Sequence, residues 1–417
     1  MPLIEGFWVR NYRVLKQISL GSSFQHTTVI QDDTGLPPYE LRPFTVIAGG
    51  NGAGKSTVLD VFSFLADCLN EGVESAFRKR NGFHSVISQG CDEDDPISIG
   101  IVFRACADPR PLTYVVSFEA PSGRALRVAN EAILYRSNES NPTNTMLLFF
   151  QNGLKTTRHV APWPGMRRDD LEKVKATDSR RLALPFLGEF EDFPDVCPLF
   201  QNMSRWGNQS MSLDLSAALA PPLIPRLNNE QRINRLLELI KSMEEKHRFD
   251  FPGILNEISQ KLPGVDQILI ERTESGRCVL RFKMEAFERP LEAHEIGRGM
   301  LLFFAHMLQL EDSIPTPLFG FDDVEEGFDH AFCRLLAERL YNHVDMIGST
   351  QFFVTAHAPR FLDCVDPRDV WILETGLDGF TSAFRASDDL ANYDPSQFTA
   401  STRWFTDYVG RSGPVGG

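Results

Sequence analysis

The stretch FTVIAGGNGAGKSTVLDVFSFL, residues 44–65, constrains this chain more than any other part of it. A short continuous apolar run at 44–48, of buried-strand type, leads into a cluster of glycines. Beyond them Val58, Leu59, Val61, Phe62, Leu65 and Leu69 recur at helical spacing, so the loop opens a helix. Between the two elements Gly49, Gly54, Lys55 and Ser56 satisfy G-x-x-x-x-G-K-[ST] in the strand-loop-helix context that the pattern needs. The backbone N–H groups of Gly50, Asn51, Gly52 and Ala53 can turn inward round a β-phosphate, and the helix start near Ser56 and Thr57 adds its positive end. Lys55 reaches the β and γ oxygens, and Ser56 offers a hydroxyl to Mg²⁺.

Such a loop needs a second anchor for magnesium, an acid at the end of a neighbouring apolar strand. PLFGFDDVEEGFD, residues 317–329, supplies it. Asp322 is placed to hold the metal through water and Asp323 to polarise an attacking water. His357, directly after the apolar run 351–356 in QFFVTAHAPRFLD, reads as a γ-phosphate sensor once the two preceding motifs are in place. Gln89 in SVISQG is a weaker metal candidate, because a Gln before a Gly is commonly a turn.

The expected fold class is α/β. Strands at 317–321, 351–356 and 369–373, with a helix in AFCRLLAERLYNHV between the first two, argue for a parallel sheet. Residues 3–20 predict one or two strands, and ISIGIVFR, LTYVVSFEA and EAILYRSN predict an antiparallel sheet flanking the nucleotide core. Proline punctuates 150–228, which reads as an insertion; a helix is expected at 229–247, then a two-stranded hairpin at 266–285 and a helix in IGRGMLLFFAHMLQL. The expected segments are a first lobe at 1–149, an insertion with a helical arm at 150–255, a second lobe at 256–385 and a tail at 386–417.

Composition excludes several classes. A formal charge of −14 argues against binding nucleic acid over the whole surface. The densest basic cluster, Arg78, Lys79 and Arg80, could meet a nucleic-acid backbone, although such runs are more often a solvated helix face. Seven scattered cysteines without a C-x-x-C spacing suggest neither a disulfide framework nor a zinc site. MLLFFAHML, the longest apolar run, is about half the length that crosses a bilayer, and a cytoplasmic protein is expected.

The ordered set NGAGKST, EIGRGMLLFFAHML, GFDDVEEGFD and TQFFVTAHAPRFLD resembles the ABC-type ATPases of the RecF, SMC and OLD group, and most nearly the short-armed predicted ATPases found beside bacterial phage-defence nucleases. The likeness covers most of 1–110 and 229–375. It implies ATP and Mg²⁺ as ligands, with Gly297, Arg298 and Gly299 on the signature turn, Asp322 on the magnesium aspartate, Asp323 on the catalytic glutamate, Glu325 on the second acid and His357 on the switch histidine. It further implies a homodimer or higher homo-oligomer closed on ATP, each P-loop facing the other copy's signature turn, with a partner effector or DNA attached. Arg10, Asn11 and Arg13 fall where this group often touches the nucleotide base.

The departures from the family pattern matter as well. Gly297 stands where the family has a serine, although backbone N–H groups at a helix start can still bind an anion. Asp323 is one methylene shorter than glutamate, so hydrolysis slower than in the family is expected. Val324 and Asp329 replace the family's proline and histidine. The alternative, the ATPase subunit of a membrane transporter, lacks an LSGGQ-like signature, and a self-sufficient nuclease of the OLD kind lacks its separated acid motifs.

Overall fold

The computed structural model describes residues 3–21, 41–92, 95–104, 110–121, 125–135, 145–151, 154–155, 180–187, 195–206, 229–247, 250–272, 278–311, 317–325, 327–348 and 350–387. They fall into two compact units. The first takes its described residues from 1–212, 316–322 and 349–417, the second from 213–315 and 323–348.

Among the described residues the first unit holds two sheets. One is antiparallel, in the order β2 (Leu15–Gly21), β1 (Ile4–Tyr12), β4 (Ile97–Phe103), β5 (Leu112–Glu119), β6 (Arg127–Tyr135), β7 (Thr145–Gln151), β8 (Leu154–Lys155). The runs expected near 97, 112 and 131 are therefore the middle of a seven-stranded sheet, extended by the N-terminal hairpin on one side and carried past residue 149 by β7 and β8 on the other. The other sheet runs β12 (Leu318–Phe321), β13 (Gln351–Ala356), β3 (Phe44–Gly49), β14 (Val370–Thr375), β15 (Thr381–Arg385), the first four parallel and β15 antiparallel. Every residue of β3, β12 and β13 is buried, which is why these strands read as unbroken apolar runs rather than as an alternation.

Helix α1 (Lys55–Asn70) packs within this unit through Phe62, whose ring lies 5.1 Å from Phe7 of β1, 5.0 Å from Phe353 of β13 and 5.4 Å from Trp206. A second tie joins the sheets. The buried Gln351 amide accepts from Ile4 N–H and donates to Ile4 O, both at 2.7 Å, acting as one more rung of backbone pairing.

The basic cluster is a solvated helix face at Arg78 and Lys79, which are exposed, and departs from that reading only at Arg80. It closes α2 (Val73–Lys79), ahead of the short helix α3 (Phe83–Val86). Arg80 is only 8% exposed. Its guanidinium meets Asp60 at 2.8 Å and Asp67 at 2.8 Å, both on α1. Asp60 also accepts from Tyr12 Oη at 2.7 Å and pairs with Arg13 at 3.0 Å. Lys79 pairs with Asp67 at 2.7 Å and Glu71 at 2.5 Å. These pairings make Arg80, and at the exposed surface Lys79, clamps on α1.

The second unit contains α6 (Asn229–Lys246), α7 (Phe251–Ser259), the sheet β11 (Leu291–Glu292), β10 (Cys278–Met284), β9 (Val265–Arg272), then α8 (Arg298–Leu310) and α9 (His330–Ile347). The short helices α4 (Leu184–Leu187), α5 (Val196–Met203) and α10 (Pro359–Leu362) belong to the first. The hairpin expected at 266–285 is β9 and β10; its Ser-Gly turn, and most of 150–228 and 386–417, lie outside the described residues. Phe304 of α8 meets Phe282 of β10 edge-on at 5.6 Å. His306 is buried on the same helix, and burial pushes its pKa down to about 4. Asp329, which stands where the family has histidine, is the N-cap of α9, its carboxylate accepting from Phe332 N–H at 2.9 Å.

Replacing Arg80 with Ala takes one partner from Asp60, which keeps Tyr12 and Arg13, and one from Asp67, which keeps Lys79, and we expect a loss of about 1.5–3 kcal/mol in denaturant unfolding. A loss below about 1 kcal/mol would show that the clamp is not structural.

Candidate functional site

Three motifs converge because their strands are parallel. The registers Ala48 with Ala356 and Phe321 with Val354 bring the carboxyl ends of β3, β13 and β12 to the same edge, where open α/β sheets bind ligands. From that edge leave the glycine loop, Asp322 and His357. The second sequence acid, Asp323, opens the second segment of the other unit.

The loop holds its own charge. Lys55 is 6% exposed, and its ammonium donates to Gly49 O at 3.0 Å and Gly50 O at 3.1 Å. Gly54 has φ 97°, and a Cβ there would lie 2.7 Å from Thr381 Oγ1 and 3.0 Å from Leu15 Cδ2, so no other residue fits the turn that opens α1. Thr381 in turn donates through Oγ1 to Ala53 O at 2.9 Å, fastening β15 to the loop. Asn51 and Gly52 are exposed at the tip, Ala53 is buried, and Ser56 and Thr57 are half-buried in the first turn of α1.

Ser56 Oγ donates to Asp322 Oδ1 at 2.9 Å, so the hydroxyl and the acid singled out 266 positions apart touch directly. A second hydroxyl reaches the same atom: Thr355 Oγ1 donates to Asp322 Oδ1 at 2.6 Å. Hydroxyl and carboxylate are the hard oxygen donors that Mg²⁺ takes, and it takes few of them alongside phosphate oxygens and water. Among the described residues no group of three or more His, Cys, Asp or Glu forms a larger metal cage. The residues present therefore fit Mg²⁺, with Ser56 and Asp322 to hold it. Thr355 was missed in the sequence because a Thr in a buried β-strand is ordinary; its position two before His357 is the only signal.

Other predicted residues are placed differently. Gln89 is exposed in a turn whose neighbours are tied to β1, Ser88 N–H donating to Asn11 O at 3.1 Å and Cys91 Sγ to Asn11 Oδ1 at 3.3 Å. Asn11 itself is buried with its amide donating to Pro96 O at 3.0 Å, and Arg13 pairs with Asp60, so of the three residues weighed for the base only Arg10 is exposed. His357 is exposed, immediately after β13.

In the second unit Asp323 has φ 47°, a left-handed backbone that Asp tolerates better than longer side chains. Glu325 is fully buried. Gly297 is the exposed N-cap of α8, followed by exposed Arg298. Gly299 lies against the turn after the acids: a Cβ on it would come 2.3 Å from Gly327 O, whereas a Cβ on Gly297 meets nothing within 4 Å. One glycine of the signature turn is thus required by packing and the other is not.

A glycine loop leaving one parallel strand and touching an acid on the next-but-one defines the class, an α/β P-loop ATPase fold. Residues 44–120 match the family described as "AAA domain, putative AbiEii toxin, Type IV TA system". Similar solved structures include an Smc head bound to the C-winged helix domain of ScpA (14% identity, 94% of this chain and 99% of that one, TM-score 0.46). They also include the SMC head domain from Thermotoga maritima (11%, 92% and 98%, 0.44) and an Smc head with coiled coil and joint from Pyrococcus yayanosii (15%, 94% and 99%, 0.45). No protein of curated function matches the sequence.

The contrast between the two glycines gives a direct test. Gly297→Ser should change stability by no more than about 0.5 kcal/mol, whereas Gly299→Ala should cost about 1–3 kcal/mol through overpacking against Gly327. Equal costs in thermal or urea unfolding would contradict the packing described.

Proposed function

We propose that this chain is an ATP-binding, slowly hydrolysing ATPase in which two copies close on nucleotide. Each P-loop faces the turn Gly297-Arg298-Gly299 of the other copy, and the pair works as a nucleotide-gated sensor or scaffold for a partner effector such as a nuclease, or for DNA. The supporting observation is the buried Lys55 ammonium set between the carbonyls of the glycine loop, with the next residue, Ser56, in contact with Asp322. Phosphate oxygens are stronger acceptors for an ammonium than neutral carbonyls, so Lys55 transfers its hydrogen bonds to the β and γ groups. Ser56 and Asp322 hold Mg²⁺, which when bound neutralises charge on the phosphates.

Asp323 serves as the base that orients the attacking water, Gln89 as an outer contact to the metal, and His357 reads the γ-phosphate. The exposed N-terminus of α8 at Gly297 and Arg298 offers N–H groups and a cation to the nucleotide of the opposite copy. Loosening of the pair after hydrolysis moves whatever is attached. The AbiEii-type description of residues 44–120 favours a role in phage defence over one in repair. No described helix is long and apolar enough to cross a membrane, and no observation favours the transporter alternative.

Light scattering with ATP and Mg²⁺ should show a mass at least twice that of Lys55→Ala under the same conditions; equal masses would end the pairing model. For turnover, Asp323→Glu should raise the hydrolysis rate, within the limit set by the left-handed backbone. An unchanged or lower rate would remove the shortened acid as the cause of slow hydrolysis.

A further inference from the structure

We infer that Thr355 is the positioning residue of the magnesium site, fixing the Asp322 carboxylate for the metal from a strand that carries no part of the glycine loop. This inference rests on the Mg²⁺-ATP reading given above and adds a residue to it. The side chain of Thr355 is 0% exposed. A threonine hydroxyl has one proton to donate, and this one goes to Asp322 Oδ1 at 2.6 Å. Its backbone is locked in the middle of the parallel sheet, β13 pairing with β12 through Phe321 and Val354 and with β3 through Ile47 and Thr355 itself.

The other hydroxyl on Oδ1, that of Ser56, is donated from α1 at 2.9 Å. The two donors are not equivalent. Ser56 is itself a metal ligand, and its lone pairs and rotamer answer to the ion and the phosphates. Thr355 is β-branched and buried, which restricts its χ1 and holds its hydroxyl on Asp322. It therefore holds Asp322 Oδ1 from β13 and so sets the orientation of the carboxylate. Outer hydrogen bonds of this kind orient ligating carboxylates, and their removal typically weakens metal binding by about 10–100-fold. A purely structural Thr355 would contribute to folding without setting the metal requirement.

The full chain, Thr355→Val, Thr355→Ser and Lys55→Ala separate these cases. The readouts are fluorescent ATP-analogue binding in EDTA, the Mg²⁺ concentration that half-saturates the metal-dependent part of that binding, and the same titration with Mn²⁺ followed by its paramagnetic signal. We expect Thr355→Val to bind the analogue in EDTA as the unmodified chain does, yet to need about 10-fold or more Mg²⁺ and Mn²⁺. Thr355→Ser, which returns the hydroxyl, should come within about threefold of the unmodified chain, below that range. Coincident metal titrations for Thr355→Val and the unmodified chain would overturn the inference, as would a Ser variant no better than Val. Should valine disturb the sheet, as judged by its melting curve, Thr355→Ala removes the hydroxyl without adding bulk and is held to the same criterion. If the unmodified chain binds no analogue while Lys55→Ala is equally inert, the Mg²⁺-ATP reading itself fails, and the positioning role with it.

Discussion

A buried cation has to be answered by something, and in this chain Lys55 is answered by the carbonyls of Gly49 and Gly50. That contact ties the end of β3, the turn at Gly54 and the start of α1 into one rigid corner. The rest of the first unit is arranged to support it. Thr381 pins the loop from β15, Phe62 wedges α1 against Phe7 and Phe353, and the Gln351 amide closes the seam between the two sheets. A loop meant to cradle phosphate has to keep its N–H groups pointing inward before the ligand arrives, and a corner held from three directions does so without reorganisation.

The same corner distributes charge along α1. Ser56 looks toward Asp322, while Asp60, one turn further on, gathers Tyr12, Arg13 and Arg80. The first turn of the helix carries the Ser56–Asp322 contact, and the next turn, on the same face, holds the hairpin of β1 and β2. Through Asn11 and Cys91 that hairpin also steadies the turn carrying Gln89. The residues expected to touch a nucleobase are largely committed to this framework, which shifts their contribution from recognition to support.

Most of the nucleotide core was legible in the sequence because its signals are local. A strand, glycines, Lys55, Ser56 and a helical repeat lie within 22 consecutive residues, and the acids and His357 each follow a short apolar strand. What escaped was set by distant partners. Arg80 sits in a run that looks solvated, and only the fold reveals Asp60 and Asp67 beneath it. Thr355 carries no mark of its own until β12 and β13 pair. The extent of the antiparallel sheet was underestimated for the same reason, since β1 joins β4 across more than 80 residues of chain. Asp329 looked like a lost family histidine and is a helix cap, a role visible only once α9 is known to start there.

The central claim is that Lys55 exchanges loop carbonyls for the phosphates of ATP. Its most direct measurement is a crystal or cryo-electron-microscopy structure of the full chain with Mg²⁺ and a non-hydrolysable ATP analogue. The account predicts Lys55 Nζ within hydrogen-bond distance of the β and γ phosphates, with Ser56 and Asp322 on the metal side. Nucleotide bound elsewhere, with Lys55 still on Gly49 and Gly50, would contradict it.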